Sequence, residues 1–243
     1  MGRMILVEGL DLAGKSTLIE GLAARYRAGG WTVTVGHGDL CPDNPVGKVT
    51  RQMMRWDPGF TPEEGAPLFL ASHLWDLRNF RPPVAARSLH IQDSCALRTL
   101  AFERVVGRPD YAAKFESVVA RLPRFDAAYV LTASLEARRQ RYAERAVNDL
   151  HDAFMLRDPV RFQRVDSELL HLAVGRCKAR LLATEEWSRE GLLEEVLSDL
   201  ARRGLGAEAP RSAEAPRAAE VYGTRKTAPR GRFSAASRLD DAV

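Results

Sequence analysis

The sequence of 243 residues predicts a three-layer α/β domain built on a parallel sheet, followed by a disordered C-terminal tail. Short apolar segments typical of buried strands alternate with longer segments of helical periodicity, as in sheets covered by helices on both faces. A glycine-rich loop joins the first predicted strand to the first helix. From residue 206 onward Ala, Pro, Arg, Glu and Ser dominate without an apolar period. We therefore expect a domain over residues 1–204 and a tail over residues 205–243.

The predicted elements alternate along the chain. Apolar and β-branched residues indicate strands at residues 3–8, 31–35, 88–92, 127–133 and 180–184. Apolar residues at three- and four-residue intervals indicate helices at residues 15–27, 67–84, 96–106, 135–145, 158–174 and 188–202. Proline, asparagine and glycine residues indicate a loop at residues 38–48. Ligands bind such sheets at the carboxyl ends of the strands, where this order places Glu8, Asp39, Asp93 and Ala133.

Composition and charge argue against several classes of protein. The formal net charge is +4, and half of it comes from the tail, so the domain carries too little positive charge to indicate a nucleic-acid partner. No apolar run approaches the ~20 residues that a membrane span needs. The three cysteines and five histidines show no metal-ligand spacing. We therefore expect a cytoplasmic protein without a membrane, nucleic-acid or zinc partner.

The glycine-rich loop matches the complete phosphate-binding motif G-x-x-x-x-G-K-[ST]. It follows a strand and begins a helix, so backbone amide groups and the helix N-terminus can bind phosphate oxygens. Lys15 is expected between the β- and γ-phosphates of ATP, and Ser16 is expected to bind Mg2+. The residues predicted to bind the nucleotide are Gly9, Asp11, Ala13, Gly14, Lys15, Ser16 and Thr17.

The motif alone does not separate a kinase from a GTPase or an ATPase. The chain lacks the Asn-Lys-x-Asp guanine motif, which disfavours a GTPase, and Ser94 replaces the water-activating Glu of motor ATPases. Asp93 ends a predicted strand, where a carboxylate can bind Mg2+, act as a base or cap the following helix. Asp39, at the end of the second strand, either faces the acceptor or serves as a turn residue.

Arginines recur with helical spacing in a segment predicted to be a lid, about residues 138–165. Arg138, Arg141 and Arg145 lie at i, i+3 and i+7 on one helix. A second set follows at Arg157, Arg161 and Arg164. Kinase lids close such guanidinium groups over the triphosphate and neutralise charge on the transferred group. The alternative is two basic helix faces exposed to solvent.

Several motifs together resemble the thymidylate kinase family, over residues 3 to about 200. Residues 8–17 resemble its E-G-x-D-x-x-G-K-S-T loop, and residues 68–73 resemble its L-F-x-A-x-R helix. Residues 93–103 resemble its D-R-Y motif followed by S-L-A-Y-Q. Residues 42–47 resemble a shortened E-P-G-G-T-P-x-G.

The resemblance implies the fold of P-loop nucleoside and nucleotide kinases, with ATP and Mg2+ as ligands. Phe69 stands where the family stacks the acceptor base, although an aromatic stripe is also typical of a core helix. The segment around Arg141 and Arg145 resembles the family lid. Because Leu12 stands where some members place a loop arginine, a lid arginine must supply the catalytic guanidinium group.

The acceptor-binding residues depart from the family pattern. Arginines that hold the phosphate and the base of the acceptor are replaced by His73, Ser94 and the pair Leu40-Cys41. Each lost charge-assisted hydrogen bond is worth roughly 1.5–3 kcal/mol. We therefore expect transfer of the ATP γ-phosphate to a nucleoside, a modified nucleotide or another small hydroxyl compound rather than to dTMP.

Two alternatives stay open: a dTMP kinase with its clamp relocated to Arg51, Arg78 or Arg98, and a nucleotide-binding regulatory protein without phosphotransfer. The residues predicted to be catalytic are Lys15, Asp93, Asp11, Arg141 and Arg145. The residues predicted to bind the acceptor are Asp39, Phe69, His73, Ser94 and Arg98, and the predicted Mg2+ ligands are Ser16 and Asp93. The expected partner is a small-molecule acceptor, and a homodimer is left open.

Overall fold

The computed structural model describes residues 2–56, 61–144 and 158–208. The strands in these ranges are Arg3–Glu8 (β1), Thr32–His37 (β2), Ser88–Asp93 (β3), Ala127–Thr132 (β4) and Arg180–Ala183 (β5). The helices are Lys15–Ala28 (α1), Pro45–Trp56 (α2), Pro62–Asn79 (α3), Ala96–Val106 (α4), Pro109–Val119 (α5), Leu135–Ala143 (α6), Pro159–Cys177 (α7) and Arg189–Arg202 (α8). A short 3₁₀ helix, Thr184–Glu186, follows β5.

The five strands form one parallel sheet in the order β2-β3-β1-β4-β5. Asp93 is in register with Val7 on one side and His37 on the other, so β1, β2 and β3 end at the same level. Glu8 is in register with Val130 of β4. The carboxyl ends of the strands therefore form one edge, where loops that bind ligands are expected in such sheets.

Helices cover both faces of the sheet. In β1, Ile5 and Val7 face a core completed by α1 and α8, whereas Leu6 faces a second core completed by α4, α5 and α7. Alternate side chains of a strand point to opposite faces. Both faces are apolar here, as expected of a parallel strand buried on both sides. The predicted three-layer α/β fold is confirmed.

The loop predicted at residues 38–48 is wrong in its second half, because α2 begins at Pro45. Asn44 caps this helix, since its Oδ1 accepts hydrogen bonds from the amides of Val46 and Gly47 at 3.0 and 3.1 Å. A proline suits the first helical turn, where no amide donor is needed. The residue types that indicate a loop in the sequence therefore begin a helix.

The bounds of α3 and the existence of α5 also differ from the prediction. α3 begins at Pro62 because Thr61 and Glu64 form a capping box, and it ends at Asn79, ahead of the two prolines at 82 and 83. α5 is not predicted from the sequence. It is separated from α4 by Gly107, the C-cap residue of α4, which has a left-handed backbone with a φ of 80°.

The described fold continues past the predicted domain boundary at residue 204. Leu205 and Ala207 are buried against α1 and its neighbours. Tyr26 Oη donates to the carbonyl oxygen of Leu205, and Trp31 Nε1 donates to that of Ala207 at 3.1 Å. The chain divides into units of residues 1–209 and 210–243. The rest of the predicted tail, residues 209–243, lies outside the described residues.

In the described part, no helix has both the length and the apolar character needed to cross a membrane.

Candidate nucleotide and acceptor site

The phosphate loop, residues 9–16, leaves the carboxyl end of β1 and runs into α1. Gly9 has a φ of 137° and lies so close to the backbone of Leu131 that a Cβ atom would overlap the carbonyl oxygen. Gly14, the N-cap residue of α1, has a φ of 94°. These two positions need glycine. Leu12 also has a left-handed backbone, with a φ of 65°, which a leucine rarely adopts.

Lys15 is buried at the start of α1, with its ammonium group directed at the loop. Nζ donates to the carbonyl oxygen of Leu10 at 3.2 Å. It lies 3.7 Å from Asp11 Oδ1 and 4.0 Å from Asp93 Oδ1. Ser16, the next residue of the helix, is exposed. A cation and a hydroxyl group therefore stand at a helix N-terminus, an arrangement suited to phosphate.

Asp93 ends β3 beside the phosphate loop. Its Oδ2 lies 3.2 Å from His37 Nδ1, whereas its Oδ1 is buried and accepts no hydrogen bond from the described residues. Such an oxygen is destabilising unless a cation or a ligand meets it. The exposed hydroxyl of Ser16 and this carboxylate are the hard oxygen donors that Mg2+ prefers, so the donor set fits the expected ion. The capping alternative fails, because Cys95 is the N-cap residue of α4.

Glu8, the last residue of β1, was placed at this edge of the sheet by the sequence but was given no role. Its side chain is fully buried, with Oε1 accepting from the amide of Cys95 at 2.7 Å and Oε2 from the amide of Gly9 at 3.2 Å. Burial raises the pKa of Glu8, and the backbone donors, Arg98 and Lys15 oppose that rise. Glu8 thereby joins the start of the phosphate loop to the turn before α4. The available signal was a charged residue that ends an otherwise apolar strand.

Asp11, predicted to be catalytic, is held by two arginines. Arg98 Nη1 donates to its Oδ1 at 2.7 Å, and Arg138 Nη1 donates to its backbone carbonyl oxygen at 2.5 Å. Arg98 is 38% exposed, whereas Arg138 is fully buried. Arg98, predicted to bind the acceptor, therefore lies beside the phosphate loop with part of its side chain open to solvent.

Arg141 is a predicted lid arginine that also reaches the phosphate loop. Its Nη1 donates to the carbonyl oxygen of Leu12 at 2.8 Å and to Thr184 Oγ1 at 3.1 Å. Arg161 instead pairs with Asp158, the N-cap residue of its helix, with Nε 3.5 Å from Oδ2. Two further predicted lid arginines lie outside the described residues, Arg145 and Arg157.

Asp39 is buried in the predicted acceptor region, and both of its carboxylate oxygens have donors. Oδ1 accepts from Ser72 Oγ at 2.5 Å, and Oδ2 accepts from Arg51 Nη1. Ser72 lies on α3 and Arg51 on α2. The carboxylate therefore joins the two helices next to the carboxyl end of β2, which is more than the turn role that the sequence left open.

His73 and Ser94 are the buried residues that replace family arginines. Burial lowers the pKa of His73 to about 4, although Asp39 nearby opposes the change, and the ring is therefore neutral at pH 7. His73 Nε2 lies 3.2 Å from Thr99 Oγ1. Ser94 has a φ of 59°, and its buried Oγ has no hydrogen-bond partner in the described chain. Phe69 is partly buried and packs against the core under α4, α5 and α7, as the core alternative predicts.

Asp39, His73 and Asp76 bring possible ligand atoms within 4.8 Å of one another. Asp76 Oδ2 accepts from the amide of Leu40 at 2.6 Å, and Oδ1 accepts from that of Cys41 at 3.1 Å. Every carboxylate oxygen of the group therefore has a protein donor. We interpret the group as a hydrogen-bonded support for the chain after β2 and not as a metal centre.

The model of the family described as thymidylate kinase matches residues 7–189. The chain belongs to the thymidylate kinase family. A solved thymidylate kinase from Candida albicans, reported to reveal the origin of broad substrate specificity and a novel structural element, is similar in fold with a TM-score of 0.64 and 16% sequence identity. The match covers 84% of this chain and 93% of that one. No curated protein matches the sequence.

Within this thymidylate kinase family fold, the predicted site residues form two groups. Lys15, Asp11, Asp93 and Arg141 meet at the phosphate loop. Asp39 meets α2 and α3 instead, and His73 lies near it. The catalytic and binding roles assigned to these residues stay predictions.

Proposed function

We propose that this member of the thymidylate kinase family is an ATP-dependent kinase whose acceptor is a small hydroxyl compound other than dTMP. The acceptor would be a nucleoside, a modified nucleotide or another small alcohol. The observation that carries the proposal is the 4.0 Å separation of Lys15 Nζ and Asp93 Oδ1 beside the phosphate loop. A cation for the phosphates thus stands next to a buried carboxylate oxygen without a hydrogen-bond donor in the described chain.

On the donor side, the amide groups of the phosphate loop and Lys15 would bind the β- and γ-phosphates. Arg141, which already contacts the loop, would neutralise charge on the transferred group. Ser16 and Asp93 would hold Mg2+, which supplies further neutralisation of the phosphate oxygens. Asp93 would also orient or deprotonate the acceptor hydroxyl group.

Of the three proposed acceptor classes, the predicted acceptor region best supports those without a phosphate group, a nucleoside or another small alcohol. A phosphate in a partly desolvated cleft needs paired guanidinium or ammonium groups. His73 is neutral at pH 7 because burial lowers its pKa to about 4. Ser94 is uncharged, and the amides of Leu40 and Cys41 are bound to Asp76. An unphosphorylated acceptor would need a carboxylate for its hydroxyl group and no such clamp.

Phosphorylation of dTMP through a relocated clamp is the second candidate, because Arg51 and Arg98 are 41% and 38% exposed. Each already pairs with an aspartate, Arg51 with Asp39 and Arg98 with Asp11. A phosphate would have to compete with these carboxylates for the guanidinium groups. The reported broad substrate specificity of the Candida albicans enzyme is a further reason to test several acceptors side by side.

The test is ADP formation from ATP and Mg2+ with thymidine, dTMP, other nucleosides and monophosphates, and small alcohols as acceptors. We expect turnover with an unphosphorylated acceptor and weak or undetectable turnover with dTMP. A kcat/KM for dTMP of roughly 10⁴ M⁻¹s⁻¹ or more would overturn the first candidate and support the second. Nucleotide binding without turnover of any acceptor would instead indicate a regulatory protein.

A charge-restoring variant and its matched control sharpen this test. Ser94→Arg returns a guanidinium group to the position where the family has one, and it should raise dTMP turnover by about tenfold or more if the missing charge excludes dTMP. Ser94→Met adds length without charge and should not raise it. An equal effect of both variants would show that pocket shape, and not charge, limits dTMP.

A further inference from the structure

We propose that Arg138 is a positioning residue that holds the phosphate loop in its nucleotide-binding conformation from inside the core. The inference rests on the proposed nucleotide-binding function and assigns a role to a residue outside the predicted catalytic set. Arg138 lies on α6, and none of its surface is exposed. It therefore has no surface to offer a nucleotide, unlike the arginines expected from a lid.

Each of the three guanidinium nitrogens of Arg138 donates a hydrogen bond. Nη1 donates to the carbonyl oxygen of Asp11 at 2.5 Å, Nε to that of Ala133 at 3.0 Å, and Nη2 to Asp166 Oδ1 at 3.2 Å. The ring of Phe162 lies 4.8 Å from the guanidinium carbon. One side chain thus joins the phosphate loop, the end of β4 and α7.

The bond to Asp11 fixes one side of the strained residue Leu12. Arg138 holds the carbonyl group that precedes Leu12, and Arg141 holds the carbonyl group of Leu12 itself at 2.8 Å. The two peptide planes that flank Leu12 are therefore both anchored. A left-handed backbone at a leucine, with its φ of 65°, persists only when its surroundings impose it.

The same bond also sets the direction of a backbone donor. A trans peptide is planar, so its carbonyl and amide groups point in opposite directions. With the carbonyl of Asp11 drawn toward Arg138, the amide of Leu12 points to the opposite side of the loop. Amide groups presented in this way are the phosphate ligands of such loops. Arg138 would thus preorganise a donor that the nucleotide uses.

Stability alone is a weak reason for this buried charge. Ion pairs inside proteins are often replaced by apolar residues of similar size without loss of stability, because the desolvation of both charges offsets their attraction. Burial lowers the pKa of Arg138, and Asp166 opposes the change most strongly. An apolar residue would fill the same space but could not hold the carbonyl of Asp11. The structure therefore favours a role in the geometry of the loop.

The experiment compares Arg138→Met with Phe162→Leu in the full chain. Both variants disturb the same buried contact, but only Arg138→Met removes the bond to the loop. ADP binding is measured by calorimetry, which needs no knowledge of the acceptor, and thermal melting is measured in parallel. We expect Arg138→Met to weaken ADP binding by about 10- to 100-fold, and Phe162→Leu to lower the melting temperature with affinity within about threefold of the parental chain.

Arg138→Lys covers the case in which Arg138→Met does not fold. It keeps the charge but replaces the planar fork by a single ammonium group, so ADP affinity should fall by about fivefold or more. Unchanged ADP affinity in a folded Arg138 variant would overturn the inference, as would equal losses of affinity in Arg138→Met and Phe162→Leu. Failure of the parental chain to bind ADP would instead overturn the proposed function itself.

Discussion

The donor and acceptor ends of the candidate site hold their charges in different ways. At the donor end, Lys15 and Arg141 bind main-chain carbonyl oxygens of the phosphate loop. At the acceptor end, the guanidinium group of Arg51 donates a hydrogen bond to the buried carboxylate of Asp39, and burial keeps His73 neutral. The polyphosphate of ATP is the same in every reaction of this type, whereas acceptors differ. Under the proposed function, the cationic groups would serve the constant ligand, and polar and acidic groups would meet the variable one.

Removal of the Lys15 ammonium group should have the largest effect on turnover, and it tests the donor end of the comparison. Lys15→Ala should lower turnover by about 100- to 1000-fold or more, because a preorganised cation on the transferring phosphate is lost. The melting temperature should change little, because the ammonium group has one described hydrogen bond, to Leu10, and its ion pairs with Asp11 and Asp93 are long, at 3.7 and 4.0 Å, so relief from burying the charge offsets their loss. Lys48→Ala, at an exposed lysine of α2, is the matched control. Near-parental turnover of Lys15→Ala would contradict the assignment.

The donor end was the more predictable of the two from sequence. A phosphate loop is a local motif, so the spacing of Gly9, Gly14 and Lys15 indicates its position and its chemistry without knowledge of the rest of the fold. Asp93 was predicted because it ends a buried strand, and the register of β3 with β1 confirms that it lies at the shared edge. The parallel sheet followed from the alternation of strand and helix patterns.

The remaining features depend on contacts between distant parts of the chain. Glu8 and Arg138 take their positions from partners that lie far away in sequence, the amide of Cys95 and the carbonyl of Asp11. Helical spacing placed Arg138 in the lid group, although it is buried. α2 was missed because its cap is built from Asn44 and a proline, which also occur in loops. Local patterns cannot distinguish these cases.

The donor end also depends on the last described residues, and a pair of truncations measures that dependence. A chain ending at residue 208 should keep the stability of the full chain if residues 209–243 form the predicted disordered tail. A chain ending at residue 203 should lose about 3 kcal/mol, because it removes the buried Leu205 and the carbonyl acceptors of Tyr26 and Trp31. Denaturant unfolding of the three chains is the measurement.

The two truncations also separate the predicted boundary from the observed one. Equal stability of the chains ending at 203 and 208 would show that the packing of residues 205–207 on α1 contributes nothing measurable. A large loss already in the chain ending at 208 would show that the tail itself contributes to the stability of the domain. Either result would contradict the expected order.

The smallest expected effect tests the neutral histidine at the acceptor end. Because burial lowers the pKa of His73 from 6.5 to about 4, the folded chain resists a proton that the unfolded chain accepts. The stability that His73 contributes is therefore present above pH 6.5 and is lost as the pH falls toward 4. Linkage gives a loss of about 2 kcal/mol between pH 8 and pH 5.

His73→Gln, which cannot take up this proton, should lack that part of the pH dependence. The measurement is the free energy of unfolding of both chains at the two pH values. The same pH dependence in both chains would mean that folding does not shift the pKa of His73, and it would contradict the claim that burial keeps this ring neutral at the acceptor end.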